Sequence, residues 1–243
     1  MILVFIVNLI VGVLVGLSGI AGFLLPIFYI GVMHLGTVEA LALSFAAFIV
    51  SGVLGSLNYY RHKLLDVKTA GIISIGSFFA SFLGVKANLL IPEHVMSIIL
   101  YCVVLFSGIS ILVRKDKPHQ QKAHHNKFVL ILIGVITGFI CAVTGAGGPI
   151  LVLPILIMLG IEVHQAVAIA LFNSIFIGIP SAGGYLLNSS WMAIRGILPV
   201  ALVAHGIGVF AGSKNGHRIN QQLLKRIVAI FSIVISIIKL IGG

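Results

Sequence analysis

Apolar runs of membrane-crossing length follow one another along nearly the whole chain, parted only by brief polar or Gly/Pro punctuation. A helix needs about 20 residues to cross a hydrocarbon core about 30 Å thick. Cut at their punctuation, the runs predict helices over 2–18, 23–33, 38–60, 67–90 and 94–113, and again over 128–144, 149–160, 163–187, 192–213 and 221–240. The segments 23–33 and 149–160 are too short to cross, so each is expected to begin or end inside the membrane. Only RKDKPHQQKAHHNK, 114–127, is strongly hydrophilic. Composition agrees: 60% of the 243 residues are hydrophobic and 8% are charged, where a soluble domain carries roughly a quarter charged, and the mean hydropathy is +1.23. A cytosolic enzyme, a disordered protein and a secreted disulfide scaffold are excluded. Cys102 and Cys141 lie inside apolar runs and offer neither a disulfide framework nor a CxxC metal site. The N-terminal MILVFIVNLIVGVLVG lacks a basic leader and reads as the first membrane helix.

The two halves repeat one another. Gly12-xxx-Gly16 matches Gly134-xxx-Gly138, and LSGIAGFLLP matches TGAGGPILVLP, with Pro26 opposite Pro154. Tyr59 falls opposite Tyr185, and Lys86 opposite Lys214. A near-constant offset with the same order of elements points to duplication. Cytoplasmic loops collect Lys and Arg. In the first half the basic loop is Arg61–Lys68; in the second it lies one crossing later, at Lys214, Arg218, Lys225 and Arg226. Inversion of the second half places these and the central basic linker on one side, leaving only Lys86, Arg195 and Lys239 elsewhere. The expected fold is therefore an all-α integral membrane protein of two inverted repeats, 1–113 and 128–243, joined by a cytoplasmic linker at 114–127. Each repeat is a helical hairpin with a short broken helix plus three spanning helices. Both termini come out on the non-cytoplasmic side.

Two glycine-rich segments stand out: Gly16-Leu-Ser18-Gly19-Ile-Ala-Gly22 and Thr144-Gly145-Ala-Gly147-Gly148-Pro149. Glycine permits tight reversal and close backbone approach, and proline suits the first turn of a helix. Pro149 reads as the start of the short helix, whose free N–H groups and positive dipole end favour an anion. Inversion would bring both turns to a shared centre, the geometry of a substrate site in a repeat-built transporter. Close helix packing by small residues is the competing explanation. The five acids, Glu39, Asp66, Glu93, Asp116 and Glu162, avoid the middles of the predicted helices, so the chain is poorly equipped for cations, which need carboxylates at membrane depth. The substrate-binding candidates are Ser18, Gly19, Gly22, Thr144, Gly145, Gly147, Gly148, Pro149, Asn173, Ser174, Tyr59 and Tyr185.

Asn173 is costly in an apolar helix unless paired; an interhelical hydrogen bond is its plainer role. His205, in mid-helix, is a candidate for proton coupling, since small shifts move histidine across physiological pH; a neutral, hydrogen-bonded histidine is the alternative. Lys86 and Lys214 either attract anions or snorkel to the headgroups. His119, His124 and His125 lie in the hydrophilic linker without supporting Cys or acids, so no metal is expected. No cofactor is expected either. The expected partners are a small anionic substrate and the lipid bilayer, not nucleic acid; a homo-oligomer is compatible with this.

At GLSGIAGFLLPIFYIGV, at GFICAVTGAGGPILVLPILIMLG and at the following HQAVAIALFNS, the chain resembles the sulfite exporter TauE/SafE family of membrane permeases. The family pattern resembles glycines spaced G-x-x-x-G-x-x-G-x-G-G-G, then apolar residues and a proline, then A-x-A-x-S. Here Ala21 stands where a glycine is usual, and Pro149 replaces another. The resemblance implies an inner-membrane transporter of small sulfur-containing or organic anions such as sulfite and sulfonates. Three rivals remain at this point: an intramembrane serine protease using Ser18, in a G-x-S-G match, with His205; a passive anion channel; and a membrane subunit without transport activity, against which the glycine hairpins argue. Ser–His catalysis needs the pair within hydrogen-bond reach.

Overall fold

The structure is a computed structural model that describes residues 1–113 and 126–216, together with positions 226, 229–230, 233–234, 236–238 and 240–241. Most of the basic linker and much of the expected helix 221–240 lie outside the described residues. Every described element is a helix: α1 Ile2–Ser18, α2 Leu24–Gly31, α3 Thr37–Arg61, α4 Val67–Leu90, α5 Glu93–Val113, α6 Lys127–Thr144, α7 Gly148–Met158, α8 Val163–Asn188, α9 Trp191–Ile194 and α10 Ile197–Asn215. Among the described residues, α3, α4, α6, α8 and α10 are long and apolar enough to cross a membrane.

Local chemistry sets the ends. The Asp66 carboxylate accepts from Lys68 N and Thr69 N at the start of α4, and the Asn126 side chain accepts from Phe128 N at the start of α6. Such side chains satisfy donors that have no partner within the helix. Glu162 does the same for α8, accepting from Gln165 N at 3.1 Å and meeting His164 Nδ1 at 2.8 Å. Burial opposes ionisation of Glu162, but His164 and the backbone N–H groups outweigh it and hold the carboxyl below its usual range. A carboxylate with a depressed folded pKa stabilises above its unfolded pKa, and that contribution is lost as pH falls through the folded value. Glu162→Gln should therefore lower the melting temperature near neutral pH and do so progressively less as the pH falls below the ordinary carboxylate range, a difference readable by thermal scans across pH.

One expectation fails. The single helix over 192–213 is two, α9 and α10, with a turn at Arg195–Gly196. Pro199 explains it: its ring would strike the carbonyl of Arg195, and it has no N–H to donate there.

The helices pair in an exchangeable pattern. α1 packs on α10, α4 on α6, and α3 on α8, while α4 also meets α8 and α10 meets α3. Glycines set the registers. A Cβ on Gly12 would strike the backbone at His205–Val209, and one on Gly16 the backbone at Val209–Ser213, so α1 and α10 run parallel. Gly134 meets Ile73 and Ser77 while Gly84 meets Phe139 and Ala142, so α4 and α6 are parallel too. Gly206 and Asn58 bring α10 alongside α3 in the same direction. At the centre Gly52 faces Leu171 and Ile175, whereas Gly178 faces Phe45 and Ile49. Rising numbers on one helix meet falling numbers on the other, so α3 and α8 are antiparallel. The short turn at 62–66 reverses the chain into α4. Thus α1, α3 and α10 run one way and α4, α6 and α8 the other. Phe79, Leu83 and Leu90 on α4, and Val203 and Ile207 on α10, face outward, as a lipid-facing surface requires.

Candidate functional site

Both glycine segments break a helix by the same means. Gly19 and Gly145 follow the last residues of α1 and α6 with φ of 72° and 69°, and their N–H groups donate to Val15 O and Cys141 O. This is the left-handed cap that glycine takes without steric cost. Just before it, the Ser18 hydroxyl donates to Leu14 O at 2.7 Å and accepts from Ile20 N at 3.2 Å. Thr144 repeats both bonds, to Ile140 O at 2.7 Å and from Ala146 N at 3.2 Å.

The breaks differ one step later. Gly147 adopts φ 81° and lets α7 begin at once, with Pro149 in its first turn as expected. Ala21 stands at the equivalent place. An L-residue avoids that conformation, and the chain instead takes a single 3-10 turn over Ala21–Phe23 before α2.

Tyr59 and Tyr185 clamp the broken ends. Tyr185 Oη donates to Ala142 O at 2.7 Å, and Tyr59 Oη lies 3.4 Å from Gly16 O and Leu17 O. Asn88 Nδ2 donates to Val143 O at 2.6 Å. These bonds satisfy last-turn carbonyls that have no partner in the helix. Tyr185→Phe should cost about 1 kcal/mol, and Tyr59→Phe less because its bonds are longer; thermal melts of the purified variants read the difference.

The two breaks meet. A Cβ on Gly19 would lie 3.1 Å from Val167 Cγ1 and 3.8 Å from Pro149 Cβ. Its counterpart Gly145 abuts Leu41 and lies 3.6 Å from Pro26 Cγ. Gly22 and Gly147 both face the ring of Phe48, at 2.8 Å and 3.5 Å from a built Cβ. Phe48 in turn packs edge-on against Phe45, which stacks on Tyr185. The polar side chains at this junction are sealed from solvent: Ser18, Thr144, Tyr59, Tyr185, Asn173 and Ser174 are all buried.

Asn173 and Ser174 lie on the stretch of α8 that crosses α3, between Leu171 and Gly178. Ser174 Oγ donates to Ala170 O at 3.0 Å. Asn173 is 0% exposed, and neither its Oδ1 nor its Nδ2 has a hydrogen-bond partner among the described residues. Lys86 and Lys214 are exposed near the helix ends and belong to the outer surface, not the junction. Each described acid stands at or just before a helix start: Glu39, Asp66, Glu93 and Glu162. Among the described residues no group of three His, Cys, Asp or Glu is placed to hold a metal ion. Sequence reasoning missed Phe48, Leu41 and Val167; the half-to-half offset that pairs Leu41 with Val167 was the available signal.

The protease reading loses its geometry. Ser18 Oγ is engaged with Leu14 and Ile20. His205 has no hydrogen bond to it, and the α1–α10 register sets His205 beside Gly12 and Ser213 beside Gly16. Two helical turns or so, about 10 Å along the axis, separate the pair.

The family model for the sulfite exporter TauE/SafE matches residues 4–238. The chain belongs to the TauE/SafE family. It is 31% identical to "Probable membrane transporter protein MJ0441" of Methanocaldococcus jannaschii, over 91% of this chain and 86% of that protein. It is 26% identical to "Probable membrane transporter protein YjnA" of Bacillus subtilis, over 98% of each chain, and 23% identical to YunE of the same organism, over 82% and 78%. No solved structure matches. Membership in this family and the spanning helices make the chain a multi-pass membrane transporter protein.

Proposed function

We propose that this TauE/SafE member carries small anions, namely sulfite, sulfonates or related organosulfur and organic anions, by alternating access around the junction of its two helix breaks. The observation that carries the reading is the meeting of two similarly built breaks, Ser18–Gly22 and Thr144–Pro149, in a buried centre with no carboxylate among the described residues. Irregular backbone at membrane depth is tolerated only where protein buries it or a cavity lines it. Helix starts and backbone N–H groups there favour negative charge. The binding residues are Ser18, Gly19, Gly22, Thr144, Gly145, Gly147, Gly148, Pro149, Asn173 and Ser174, with Tyr59 and Tyr185 holding the breaks in shape.

The opposed directions of α1 and α6, of α3 and α8, and of α4 and α10 support an inverted repeat, the architecture in which one half rocks against the other. With the sealed junction as an occluded state, each face opens in turn. The protein sits in the cell (inner) membrane with the central basic linker cytoplasmic and both termini outside, as the Lys/Arg distribution supports. Lys86 and Lys214 draw anions toward opposite faces.

Counterflow in proteoliposomes, screened over sulfite, methanesulfonate and small carboxylates, tests the reading. Saturable exchange of one or more sulfur anions is expected, lost on Gly22→Leu or Gly147→Leu. No exchange of any of them, or flux that never saturates and far exceeds carrier turnover, would overturn it, the latter in favour of a channel.

A further inference from the structure

The pairing of equivalent helices is broken at one place by chemistry. On the α1–α10 side a polar cluster is buried at the height of the α3 midpoint. His205 of α10 is 0% exposed, and Gly206 beside it packs on Val50 and Leu54 of α3. Its ring faces the main chain of Asn8, but neither nitrogen makes a hydrogen bond of normal geometry among the described residues. Asn8 of α1 is also fully buried; its Nδ2 donates to Val4 O at 2.9 Å, and its Oδ1 accepts from the Tyr29 hydroxyl of α2 at 3.1 Å. The equivalent places on the α4–α6 side hold Ser77, Gly134 and Ile155. Ser77 there is satisfied by Gly134 O at 3.0 Å.

A packing role explains the Asn8–Tyr29 bond but not the histidine. Packing would leave the histidine paired, because an unpaired buried polar group costs free energy. Intramembrane ionisable residues are rare and mark ion or proton routes. The groups around His205 are few. α1 carries no charged residue and contributes the Asn8 main chain; the Tyr29 phenol of α2 reaches the Asn8 side chain; α3 places Val50 and Leu54 beside the neighbouring Gly206, its charges Glu39 and Arg61 lying at its two ends; α9 carries no charge. Among the described residues no carboxylate stands by to fix the histidine as a permanent cation. Its charge is therefore free to follow the cargo.

We propose that His205, with Asn8 and Tyr29, forms a proton-binding site separate from the anion site, loading one proton with each monovalent anion so that the pair crosses without net charge. A ring nitrogen takes the proton from the side to which the carrier is open, and the same nitrogen gives it up on the other side. The main-chain oxygen of Asn8 is the acceptor that the ring faces, and the Tyr29 hydroxyl, donating to Asn8 Oδ1, ties that residue to α2. α2 begins at the first helix break and carries Tyr29, so movement of that break on anion binding reaches the proton site directly. This rests on the carrier reading above.

The test uses methanesulfonate, whose own charge does not change in the working pH range. Wild-type proteoliposomes with a one-unit inside-alkaline gradient should accumulate it about tenfold for one proton per anion. His205→Gln should abolish that accumulation yet keep methanesulfonate counterflow, which needs no net proton movement. Tyr29→Phe should keep counterflow and shift the pH midpoint of gradient-driven uptake. The proposal is overturned if His205→Gln still accumulates like wild type, if it loses counterflow and accumulation together, or if wild-type uptake ignores the gradient. Should the wild type not move methanesulfonate at all, the anion reading fails for this probe, and the proton site is decided by itself. Nitrogen NMR of histidine-labelled protein in nanodiscs, with the His205 signal assigned by its loss in His205→Gln, must then show a ring that titrates and responds to Tyr29→Phe. A ring that stays neutral throughout the working pH range overturns it.

Discussion

Gly145→Val should unfold or misassemble the protein. The position combines two demands that valine cannot meet. Its φ is 69°, and its Cβ would land on Leu41 of α3. The left-handed conformation alone costs an L-residue about 1–2 kcal/mol, and a β-branched side chain fits it worst. Forcing carbon into a filled core adds about 1–3 kcal/mol. The sum, about 3 kcal/mol or more, is a large part of a typical stability. The damage would not stay local, because the same residue ends α6 and lies against Pro26 at the other break. In detergent, the variant should show a sharply lowered melting temperature and a reduced monodisperse fraction on gel filtration. Gly71→Ala is the control: a Cβ there meets nothing within 4 Å, and the change should be neutral or stabilising by about 1 kcal/mol at most. Equal melting of Gly145→Val and wild type would show that the left-handed cap is dispensable.

Most of the helical plan was readable from the chain because hydropathy and punctuation act locally. Asp66, Asn126 and Glu162 mark helix starts by their own side chains, and the glycine breaks announce themselves by composition. The turn at Arg195–Gly196 was overlooked although Pro199 forecasts it through its own covalent geometry. The candidate site was readable only as far as the likeness between the two halves of the sequence reached. Ser18 and Thr144 make identical pairs of bonds, and the matching Tyr59 and Tyr185 have matching tasks, but as clamps on broken helices rather than as open donors. Phe48 could not be singled out. An aromatic in an apolar helix looks like any core residue until two backbones from distant parts of the chain close on it. The Asn8–Tyr29 contact was hidden for the same reason: its partners lie on different helices, and nothing local to either requires the other.

Asn173→Leu should make the protein more stable and a much poorer carrier. The amide is fully enclosed on α8, with both polar atoms unpaired among the described residues. Leaving such a group unsatisfied costs about 1–3 kcal/mol, and leucine has nearly the same size without the polar atoms. A melting temperature above that of the wild type is therefore expected, by the equivalent of about 1 kcal/mol. If the amide is kept because it binds the cargo, one hydrogen bond to an anion is lost, worth about 1.5–3 kcal/mol, and saturable exchange should fall by at least about tenfold. Stability bought at the expense of function is the usual mark of a strained or unsatisfied working site. The opposite pattern is equally informative. A variant that melts lower and still exchanges anions would mean that Asn173 serves the packing of α8, and the binding role would pass to the backbone of the two breaks. Asn173→Gln separates shape from chemistry, since it keeps the amide and moves it by one methylene: partial exchange with a weakened apparent affinity is expected, a smaller loss than in the leucine variant.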